Sequence, residues 1–513
     1  MTPREADLVL DAELADESAT ARLAGELCGM LQAGDVLSLS GDLGVGKTAF
    51  ARMIIRALAR DPGLETPSPT FTLMQTYATP SFPIVHADFF RLSGDADLAE
   101  LGFEEACEGA LALIEWAERA PSALPADHID IRFAIDIARG DTFRKVEVRA
   151  YGTMAARLQR AMATVRLLRE AGWGDARRAF MLGDASTRAY ERLTRPGGET
   201  AILMISPPRA DGPPVRDGKP YSAIARLAED IRSFIAIDNG LRAQGFSAPL
   251  IIAHDSDAGL AVIEDLGGET FNAGSAPVAE RYSEAVSALA RLHRLNLPGE
   301  VPIEPGANHA IPPYDLDALM IEAELLADWY VPHIARGRLS GAARAGFEQV
   351  WRMILREVTD APATWTLRDF HSPNLIWLGH RTGLARVGLI DFQDCVLGHP
   401  AYDLVSLLQD ARISVPDALE LRLLGHYAHQ RRLSDPGFDM AGFARAYAIL
   451  GAQRATKILG IFARLDKRDR KPAYLAHLPR IERYLAKNLN HPALSELKLW
   501  YEEHLPRALS AAA

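Results

Sequence analysis

The residues of this 513-residue chain that could do chemistry fall into two groups. The first is Gly41-Asp-Leu-Gly-Val-Gly-Lys-Thr48, whose spacing is typical of a phosphate-binding loop. Its glycines let backbone N–H groups face phosphates, while the lysine reaches the β/γ-phosphates and the hydroxyl binds Mg²⁺. A glycine-rich structural turn is the alternative. The sequence predicts that ATP is bound by Gly41, Asp42, Gly44, Val45, Gly46, Lys47 and Thr48, with Lys47 also serving catalysis.

The second group has the spacing of a protein-kinase-like catalytic loop. Asp369 and Asn374 stand five residues apart in Leu-Arg-Asp-Phe-His-Ser-Pro-Asn, and Asp391 follows in Ile-Asp-Phe-Gln. In such a loop the first Asp orients or deprotonates an attacking hydroxyl, and the Asn and second Asp hold Mg²⁺. We therefore predict Asp369 as catalytic, with Asn374 and Asp391 as metal ligands. Asp403, which follows in Gly-His-Pro-Ala-Tyr-Asp-Leu, is expected to brace this loop through backbone N–H groups.

The elements around the first group alternate between strand and helix. A buried strand precedes the loop and a helix follows it, and Asp88 and Glu115 each end a further apolar strand. Strand ends of an open α/β sheet meet at one edge, so both carboxylates are expected beside the loop as metal ligands. Solvated strand-end acids are the alternative. The pattern predicts an α/β domain over residues 1–150.

The remaining residues read as a second, larger module. A helix from Met154 to Ala171 has apolar residues at helical spacing, and we interpret 151–175 as a linker or, preferably, the first helix of this module. Strand-like segments dominate 176–268, and 269–513 is mainly helical. This layout predicts an α+β fold with a small lobe and a helical lobe.

Composition narrows the function classes. The formal net charge of -11 argues against broad nucleic-acid binding, because phosphate contacts need clustered cations. Cys28, Cys107 and Cys395 lie far apart without metal-type spacing, which fits a reducing compartment. The N-terminus lacks an apolar signal core, and no apolar run approaches the ~20 residues of a membrane span. We expect a cytoplasmic protein that does not contact a membrane.

One part of a kinase-like nucleotide site is missing from the small lobe. The strand that usually carries a lysine for the α/β-phosphates has Met204 at that position. Either the lobe is inactive, or another cation such as Arg188 or Lys219 substitutes; the complete Asp–Asn–Asp set favours activity. A loop before Arg188 would cover the phosphates and a hinge would contact adenine, although a plain hairpin turn is the alternative for the loop. The expected ATP-binding residues are Ser186, Thr187, Arg188, Glu264 and Leu266.

Five ordered motifs over about residues 10–150 resemble the TsaE family, the small ATPases of bacterial threonylcarbamoyladenosine tRNA modification. They are the phosphate-binding loop, Ser68-Pro-Thr-Phe-Thr-Leu, His86-Ala-Asp-Phe-Phe-Arg-Leu, Leu101-Gly-Phe and Leu113-Ile-Glu-Trp-Ala-Glu. The resemblance implies a P-loop NTPase in which Thr48, Asp88 and Glu115 form the metal and hydrolysis shell, with Glu115 catalytic. It also implies a nucleotide-sensitive loop at 68–72 and other subunits of the threonylcarbamoyltransferase complex as partners.

Residues from about 175 to 500 resemble AmgK, the anomeric kinases of N-acetylmuramate and N-acetylglucosamine in the aminoglycoside-phosphotransferase superfamily. The resemblance rests on Gly183-Asp-Ala-Ser-Thr-Arg-x-Tyr, Met204-x-x-Pro-Pro, the Asp–Asn–Asp motifs and Ala452-Gln-Arg-Ala-Thr-Lys-Ile-Leu-Gly. It implies phosphorylation of a sugar C1 hydroxyl in peptidoglycan recycling, with ATP and Mg²⁺. It also implies an amino-sugar site that includes Arg454 and Lys457, although a solvated helix face is the alternative for those two cations.

The combined prediction is a bifunctional protein that joins a tRNA-modification ATPase to a sugar kinase. Two alternatives concern the second module. It would phosphorylate an aminoglycoside or another small alcohol, or it would be an inactive nucleotide-binding scaffold that regulates the ATPase. Arg454 and Lys457 weigh against a pocket for polycationic aminoglycosides, because such a pocket needs acidic residues.

Overall fold

A computed structural model describes residues 5–181, 188–208, 212–506 and 508. The chain divides into two compact units, one up to residue 175 and one from residue 176. Each unit has its own hydrophobic core. No helix among the described residues is both long and apolar enough to span a membrane.

The first unit is built around a mixed seven-stranded sheet in the order β1-β7-β6-β2-β5-β4-β3. Its strands are β1 (Leu8–Leu14), β2 (Val36–Ser40), β3 (Met74–Tyr77), β4 (Ile84–Asp88), β5 (Leu111–Glu115), β6 (Ile129–Ile135) and β7 (Arg144–Ala150). Its helices are α1 (Glu17–Cys28), α2 (Lys47–Ala59), α3 (Ala96–Leu101), α4 (Phe103–Cys107) and α5 (Thr153–Glu170).

The centre of this sheet is parallel, and this arrangement positions the first candidate site. Strand β5 pairs in parallel with both β2 and β4, and all five side chains of β4 and of β5 are buried. The register places Asp88 directly beside Glu115, at the same sheet edge as the loop that follows β2. The predicted α/β arrangement of the carboxylates is therefore present.

Helix α5 belongs to the first unit, which corrects our preference for it as the first helix of the second module. Met154 and Leu158 are buried in the same core as α1 and α2. Both terminal nitrogens of Arg157 also lie 2.7 Å from the carboxylate oxygens of Asp35, which precedes β2. The helix therefore covers one face of the first sheet.

The second unit joins a five-stranded antiparallel sheet, ordered β13-β14-β10-β9-β8, to a helical region with short hairpins. Its sheet strands are β8 (Arg177–Met181), β9 (Ala189–Thr194), β10 (Thr200–Ile205), β13 (Ile251–Asp255) and β14 (Leu260–Glu264). The short strands are β11 (Pro214–Arg216), β12 (Lys219–Pro220), β15 (Asn272–Ala273), β16 (Ala276–Pro277), β17 (Glu300–Glu304), β18 (Ala307–Ala310), β19 (Thr364–Thr366), β20 (Leu375–Trp377), β21 (Val387–Leu389) and β22 (Val396–Gly398).

The helices of the second unit are α6 (Tyr221–Ile224), α7 (Ile231–Ala243), α8 (Ala279–Leu292), α9 (Leu316–Leu325), α10 (Val331–His333), α11 (Gly341–Thr359), α12 (Ala401–Leu408), α13 (Asp417–Ser434), α14 (Met440–Lys467), α15 (Leu478–Leu489) and α16 (Ser495–His504). The sequence pattern suggests one helix from Ile224 to Gln244, but the structure breaks it. Arg226 has a positive φ of 57°, and Asp230 caps α7 by accepting a hydrogen bond from the Arg232 amide. The small sheet and the helical region agree with the predicted α+β class.

Candidate functional sites

The loop between β2 and α2 has the backbone conformation of a phosphate cradle. Gly41, Gly44 and Gly46 all have positive φ, between 77° and 122°, which L-side chains rarely adopt. A Cβ at Gly41 would also lie 2.3 Å from the carbonyl oxygen of Phe133. Because Gly46 immediately precedes the first turn of α2, the loop directs the start of a helix toward its ligand site.

Lys47 is held inside this loop. Its Nζ donates to the carbonyl oxygens of Gly41 at 2.7 Å and Asp42 at 3.0 Å, and it lies 3.9 Å from the centre of the Trp116 ring. Burial lowers the pKa of Lys47, although the carboxylate of Glu115 opposes the shift. The ammonium group therefore stays at the loop, where a bound phosphate would meet it.

Each of the two strand-end carboxylates accepts a hydrogen bond from a threonine hydroxyl. The Thr48 hydroxyl donates to Glu115 Oε2 at 2.9 Å, and Glu115 Oε1 lies 2.9 Å from His86 Nε2. Asp88 Oδ2 accepts from the Thr70 hydroxyl at 2.7 Å, which ties it to the 68–72 loop. His86 is part of a sequence motif, but our sequence-based predictions assign it no role. Its position two residues before Asp88 on the same strand could have indicated that the two side chains lie on the same face of the sheet.

The donor set of this site fits Mg²⁺, which prefers oxygen ligands. Thr48, Asp88 and Glu115 present a hydroxyl and two carboxylates at one sheet edge beside the phosphate loop. Among the described residues, no three His, Cys, Asp or Glu side chains form a metal-binding cluster. In the usual Mg²⁺ site of a nucleotide enzyme, one or two carboxylates act together with phosphates.

In the second unit, Asp403 supports the catalytic loop as expected. Its two carboxylate oxygens accept the backbone N–H groups of Leu367 and Arg368, each at 2.8 Å. The side chain is fully buried, and His293 Nε2 lies 3.5 Å from Oδ2. This fixes the backbone just before Asp369, where Arg368 has a positive φ of 65°. The prediction that Asp403 braces the loop is therefore confirmed.

Asp369, Asn374 and Asp391 lie together in one small recess. The Asn374 amide nitrogen donates to the Asp369 carbonyl oxygen at 3.0 Å and lies 3.3 Å from Asp391 Oδ2. Gln393 Nε2 donates to Asp391 Oδ1 at 2.9 Å. Because its nitrogen is engaged, the amide of Asn374 has its oxygen as the ligand atom. With Asp391 it forms an all-oxygen pair that fits Mg²⁺.

The pKa values of the two carboxylates in the recess are shifted in opposite directions. Burial alone would raise the pKa of Asp369, but electrostatic interaction with His371 and with the guanidinium group of Arg454 brings that pKa below its ordinary value. Burial, and next the charge of Asp369, raise the pKa of Asp391, while Arg188 opposes that rise. As an ionised carboxylate, Asp369 can accept a hydrogen bond from a hydroxyl. A cation bound at Asp391 would offset the cost of burying that carboxylate in its charged form.

Of the two cations considered as lysine substitutes, the structure brings Arg188 to the site. Its Nη1 lies 2.9 Å from Asp391 Oδ1, and the side chain is mostly buried. Lys219 is exposed on β12. Met204 is buried on β10, where it pairs with Tyr190 of β9 and packs in the core.

The other expected nucleotide residues are only partly described. Ser186 and Thr187 lie outside the described residues. Glu264 ends β14, and its carboxylate accepts from the Leu250 amide at 3.0 Å and from Arg381 at 2.6 Å. Leu266 is buried two residues later. The Glu264 side chain is therefore engaged in supporting the strand end, and contact with adenine by this segment stays a prediction.

On α14, Arg454 is buried and Lys457 is mostly buried, so the alternative of a solvated helix face is wrong. Arg454 is 5% exposed, and Lys457 Nζ lies 2.7 Å from Glu322 Oε1 on α9. Both also approach the Tyr402 hydroxyl, at 3.5 and 3.3 Å. Their positive charges reach Asp369 and lower its pKa. The helix therefore contributes cations near the predicted catalytic carboxylate.

Two buried acids that sequence reasoning missed hold this region together. Glu322 accepts hydrogen bonds from Arg368 and, at 2.5 Å, from the Tyr314 hydroxyl. Asp410 accepts from both the backbone N–H and the hydroxyl of Ser372, two residues before Asn374. Neither acid belongs to a local motif, so only the folded contacts reveal them.

Comparison with protein families matches both units. The family of threonylcarbamoyl adenosine biosynthesis protein TsaE matches residues 14–143. The phosphotransferase enzyme family, APH, matches residues 177–438. The two matches fall within the two compact units, one in each.

Individual relatives match the two parts of the chain separately. The N-acetylmuramate/N-acetylglucosamine kinase of Caulobacter vibrioides is 40% identical over 362 residues, which cover 68% of this chain and 97% of that protein. The kinase of the same name from Pseudomonas aeruginosa is 29% identical over 64% of this chain and 89% of its own length. The tRNA threonylcarbamoyladenosine biosynthesis protein TsaE of Rickettsia bellii is 41% identical over 24% of this chain and 84% of its own length. This chain therefore belongs to the phosphotransferase enzyme family and carries a TsaE-family domain at its N-terminal side.

Proposed function

We propose that the second unit transfers the γ-phosphoryl group of ATP to the C1 hydroxyl of N-acetylmuramate or N-acetylglucosamine. The observation that carries this proposal is the joint placement of an ionised Asp369 and the Asn374–Asp391 pair in one recess. Similarity to kinases named for these two sugars supplies the substrate class. A role in peptidoglycan recycling follows from that substrate class.

The chain's own residues account for the transfer as follows. Asp369 accepts a hydrogen bond from the sugar hydroxyl, whose oxygen attacks the γ-phosphorus as the bond to ADP breaks; the hydroxyl proton leaves to Asp369 or to solvent. Asn374 and Asp391 would hold Mg²⁺, which when bound neutralises charge on the phosphates. Arg188 replaces the usual lysine as the cation of the nucleotide site, and residues 264–266 form the hinge.

The charge around Asp369 favours an amino sugar over an aminoglycoside. Arg368, Arg454 and Lys457 lie close to this carboxylate. Arg368 and Lys457 share a single acidic partner, Glu322, and Arg454 has none among the described residues, so positive charge is in excess over this acid. A polycationic aminoglycoside would meet these cations at short range in a region of low dielectric constant. We therefore propose that Arg454 and Lys457 belong to the wall of a neutral or acidic sugar's site.

Incubation of the full chain with ATP, Mg²⁺ and a panel of sugars and aminoglycosides tests this function. We expect a sugar 1-phosphate, identified by the coupling of its anomeric proton to phosphorus, from N-acetylmuramate and N-acetylglucosamine. Asp369→Asn should lose this product, which excludes a contaminating kinase. Absence of product with wild type and both sugars would leave the aminoglycoside-kinase or inactive-scaffold alternatives.

For the first unit, we propose an ATPase that serves tRNA threonylcarbamoyladenosine modification at position 37 together with the other subunits of the threonylcarbamoyltransferase complex. The supporting observation is the chain of contacts from Thr48 through Glu115 to His86, beside the Lys47 loop. Thr48, Asp88 and Glu115 would hold Mg²⁺, and Glu115 is placed to serve hydrolysis. Since Thr70 contacts Asp88, nucleotide state would be transmitted to the 68–72 loop.

Reconstitution with the partner subunits tests the function proposed for the first unit. The full chain should restore modified tRNA formation to a mixture that lacks its ATPase subunit, and Lys47→Ala should not. Equal restoration by the variant would contradict an ATP-dependent role for this unit.

A further inference from the structure

The two cations of α14, Arg454 and Lys457, have different partners. Lys457 is neutralised, because its Nζ lies 2.7 Å from Glu322 Oε1. Within the described residues, Arg454 has no carboxylate within ion-pair distance, and its closest polar contact is the Tyr402 hydroxyl at 3.5 Å. Its Nε atom is buried without any hydrogen-bond partner in the same part of the chain.

A guanidinium group in this state is costly to bury. An unpaired buried charge costs several kcal/mol, so buried cations are usually paired or bind a ligand. Burial disfavours the charged form, yet the neighbouring Tyr402 and Asp369 still raise the pKa of Arg454. The group therefore stays positively charged, with hydrogen-bonding capacity that the described residues do not use. Such a group is suited to an anion brought by a ligand.

Arg454 and Lys457 both approach the Tyr402 hydroxyl, and Lys457 binds Glu322. Because Glu322 also binds Arg368, the residue just before Asp369, an anion that reaches Arg454 enters the region of Asp369. The two proposed sugars differ in one respect that matters here. N-acetylmuramate carries a carboxylate on an ether substituent at C3, where N-acetylglucosamine has only a hydroxyl. Because C3 is only two bonds from C1 in the sugar ring, a sugar with C1 at Asp369 brings this substituent within reach of the side chains around Asp369. Planar guanidinium groups bind carboxylates with two parallel hydrogen bonds.

We propose that Arg454 binds the carboxylate of N-acetylmuramate and sets the preference between the acidic and the neutral sugar. Lys457, paired with Glu322, positions α14 and does not read the substrate's charge. This inference rests on the proposed sugar-kinase function and names the group that selects within it. The rival hypothesis is that Arg454 contacts the transferred phosphoryl group, which is the same whichever sugar is bound.

The test is the ratio of kcat/KM for N-acetylmuramate to that for N-acetylglucosamine. In Arg454→Gln this ratio should fall about 10- to 100-fold, as expected for loss of a charge-assisted hydrogen bond. Arg454→Lys, which keeps the charge but not the planar fork, should give an intermediate ratio. Lys457→Gln is the matched control on the same helix, and its ratio should stay at the wild-type value even if both rates decrease.

A second measurement uses only the wild-type enzyme, so it does not depend on the folding of a variant. The methyl ester of N-acetylmuramate keeps the shape of the acid but lacks its charge. Its kcat/KM should be lower than that of the acid by about the same factor of 10 to 100. Equal kcat/KM for ester and acid, or an unchanged sugar ratio in Arg454→Gln, would overturn the inference. Failure of wild type to phosphorylate either sugar would instead overturn the proposed function.

Discussion

Arg188 and Asp391 form an ion pair, with 2.9 Å between Nη1 of the first and Oδ1 of the second. Asp391 is one of the two proposed Mg²⁺ ligands, so in this structure the cation of the small lobe lies against a metal-binding carboxylate. When ATP and Mg²⁺ bind, the phosphates are available to the Arg188 guanidinium and the metal ion to the Asp391 carboxylate. The ion pair thus joins Arg188, the proposed substitute for the lysine absent at Met204, to the proposed metal site of the helical lobe.

We expect Arg188→Gln to lower kcat/KM for ATP by about 10- to 100-fold, because it removes a charge-assisted contact to the phosphates. Steady-state kinetics at saturating sugar would measure this effect. Lys219→Gln is the matched control, since Lys219 is exposed, and it should resemble wild type. If kcat/KM for ATP instead fell in Lys219→Gln and stayed at the wild-type value in Arg188→Gln, Lys219 would be the lysine substitute.

Lys47→Ala and Asp88→Ala should each abolish the function of the first unit while sugar phosphorylation continues. Lys47 belongs to the phosphate loop and Asp88 to the metal shell, and each unit has a separate core. Parallel assays of tRNA modification and sugar 1-phosphate formation would check this. Asp369→Asn should give the opposite result. Loss of both activities in any one of these variants would contradict independent sites.

Asp403→Asn should affect both stability and rate. The two buried carboxylate oxygens accept N–H groups of the catalytic loop, and an amide in their place would direct its own N–H group at a donor. We expect the free energy of unfolding of the second unit to decrease by about 1–3 kcal/mol, together with a lower kcat. Urea denaturation and sugar-kinase kinetics would measure the two effects. A variant with a lower kcat and unchanged unfolding would show that Asp403 acts on the chemistry alone.

Asp238 on α7 gives a pH-dependent prediction. Its side chain is fully buried, its carboxylate oxygens have no hydrogen-bond partner among the described residues, and burial raises its pKa to about 8. Of the charged groups nearby, Arg242 opposes this shift and Glu264 adds to it. The folded unit thus holds a proton that the unfolded chain releases near pH 4. Its stability should therefore decrease between pH 4 and 8, by up to about 1.4 kcal/mol per pH unit.

The matched variant is Asp238→Asn, which keeps the shape but cannot ionise. Urea denaturation at pH 6 and pH 9 should show a smaller loss of stability for the variant than for wild type. Identical losses for the two proteins would mean that Asp238 ionises with an ordinary pKa in the folded unit.

Local spacing explains what could be predicted from the sequence. Gly41 to Thr48 and Asp369 to Asn374 are short segments, so their residue types alone indicate the backbone and the chemistry. Strand periodicity then places Asp88 and Glu115 at one sheet edge.

Contacts between distant segments could not be predicted in this way. Glu322 binds Arg368 and Lys457, which are separated from it by 46 and 135 positions, and only folding brings the three together. Sequence reasoning gave Arg454 and Lys457 the same role because it could not detect that Glu322 neutralises one of them. Similarly, the apolar stripe of α5 predicts a buried face but does not indicate which core covers it.

The position of α5 determines where the coding sequence of the two units could be divided. The helix ends at Glu170, and Gly172, with a positive φ of 74°, turns the chain just before the second unit starts at residue 176. A cut after residue 150 would remove Arg157 from Asp35 and expose the apolar surface that Met154 and Leu158 cover. A division within the short stretch from 171 to 176 would leave the cores of both units intact. A shuffled or transplanted TsaE-family unit would need α5 as its own closing segment.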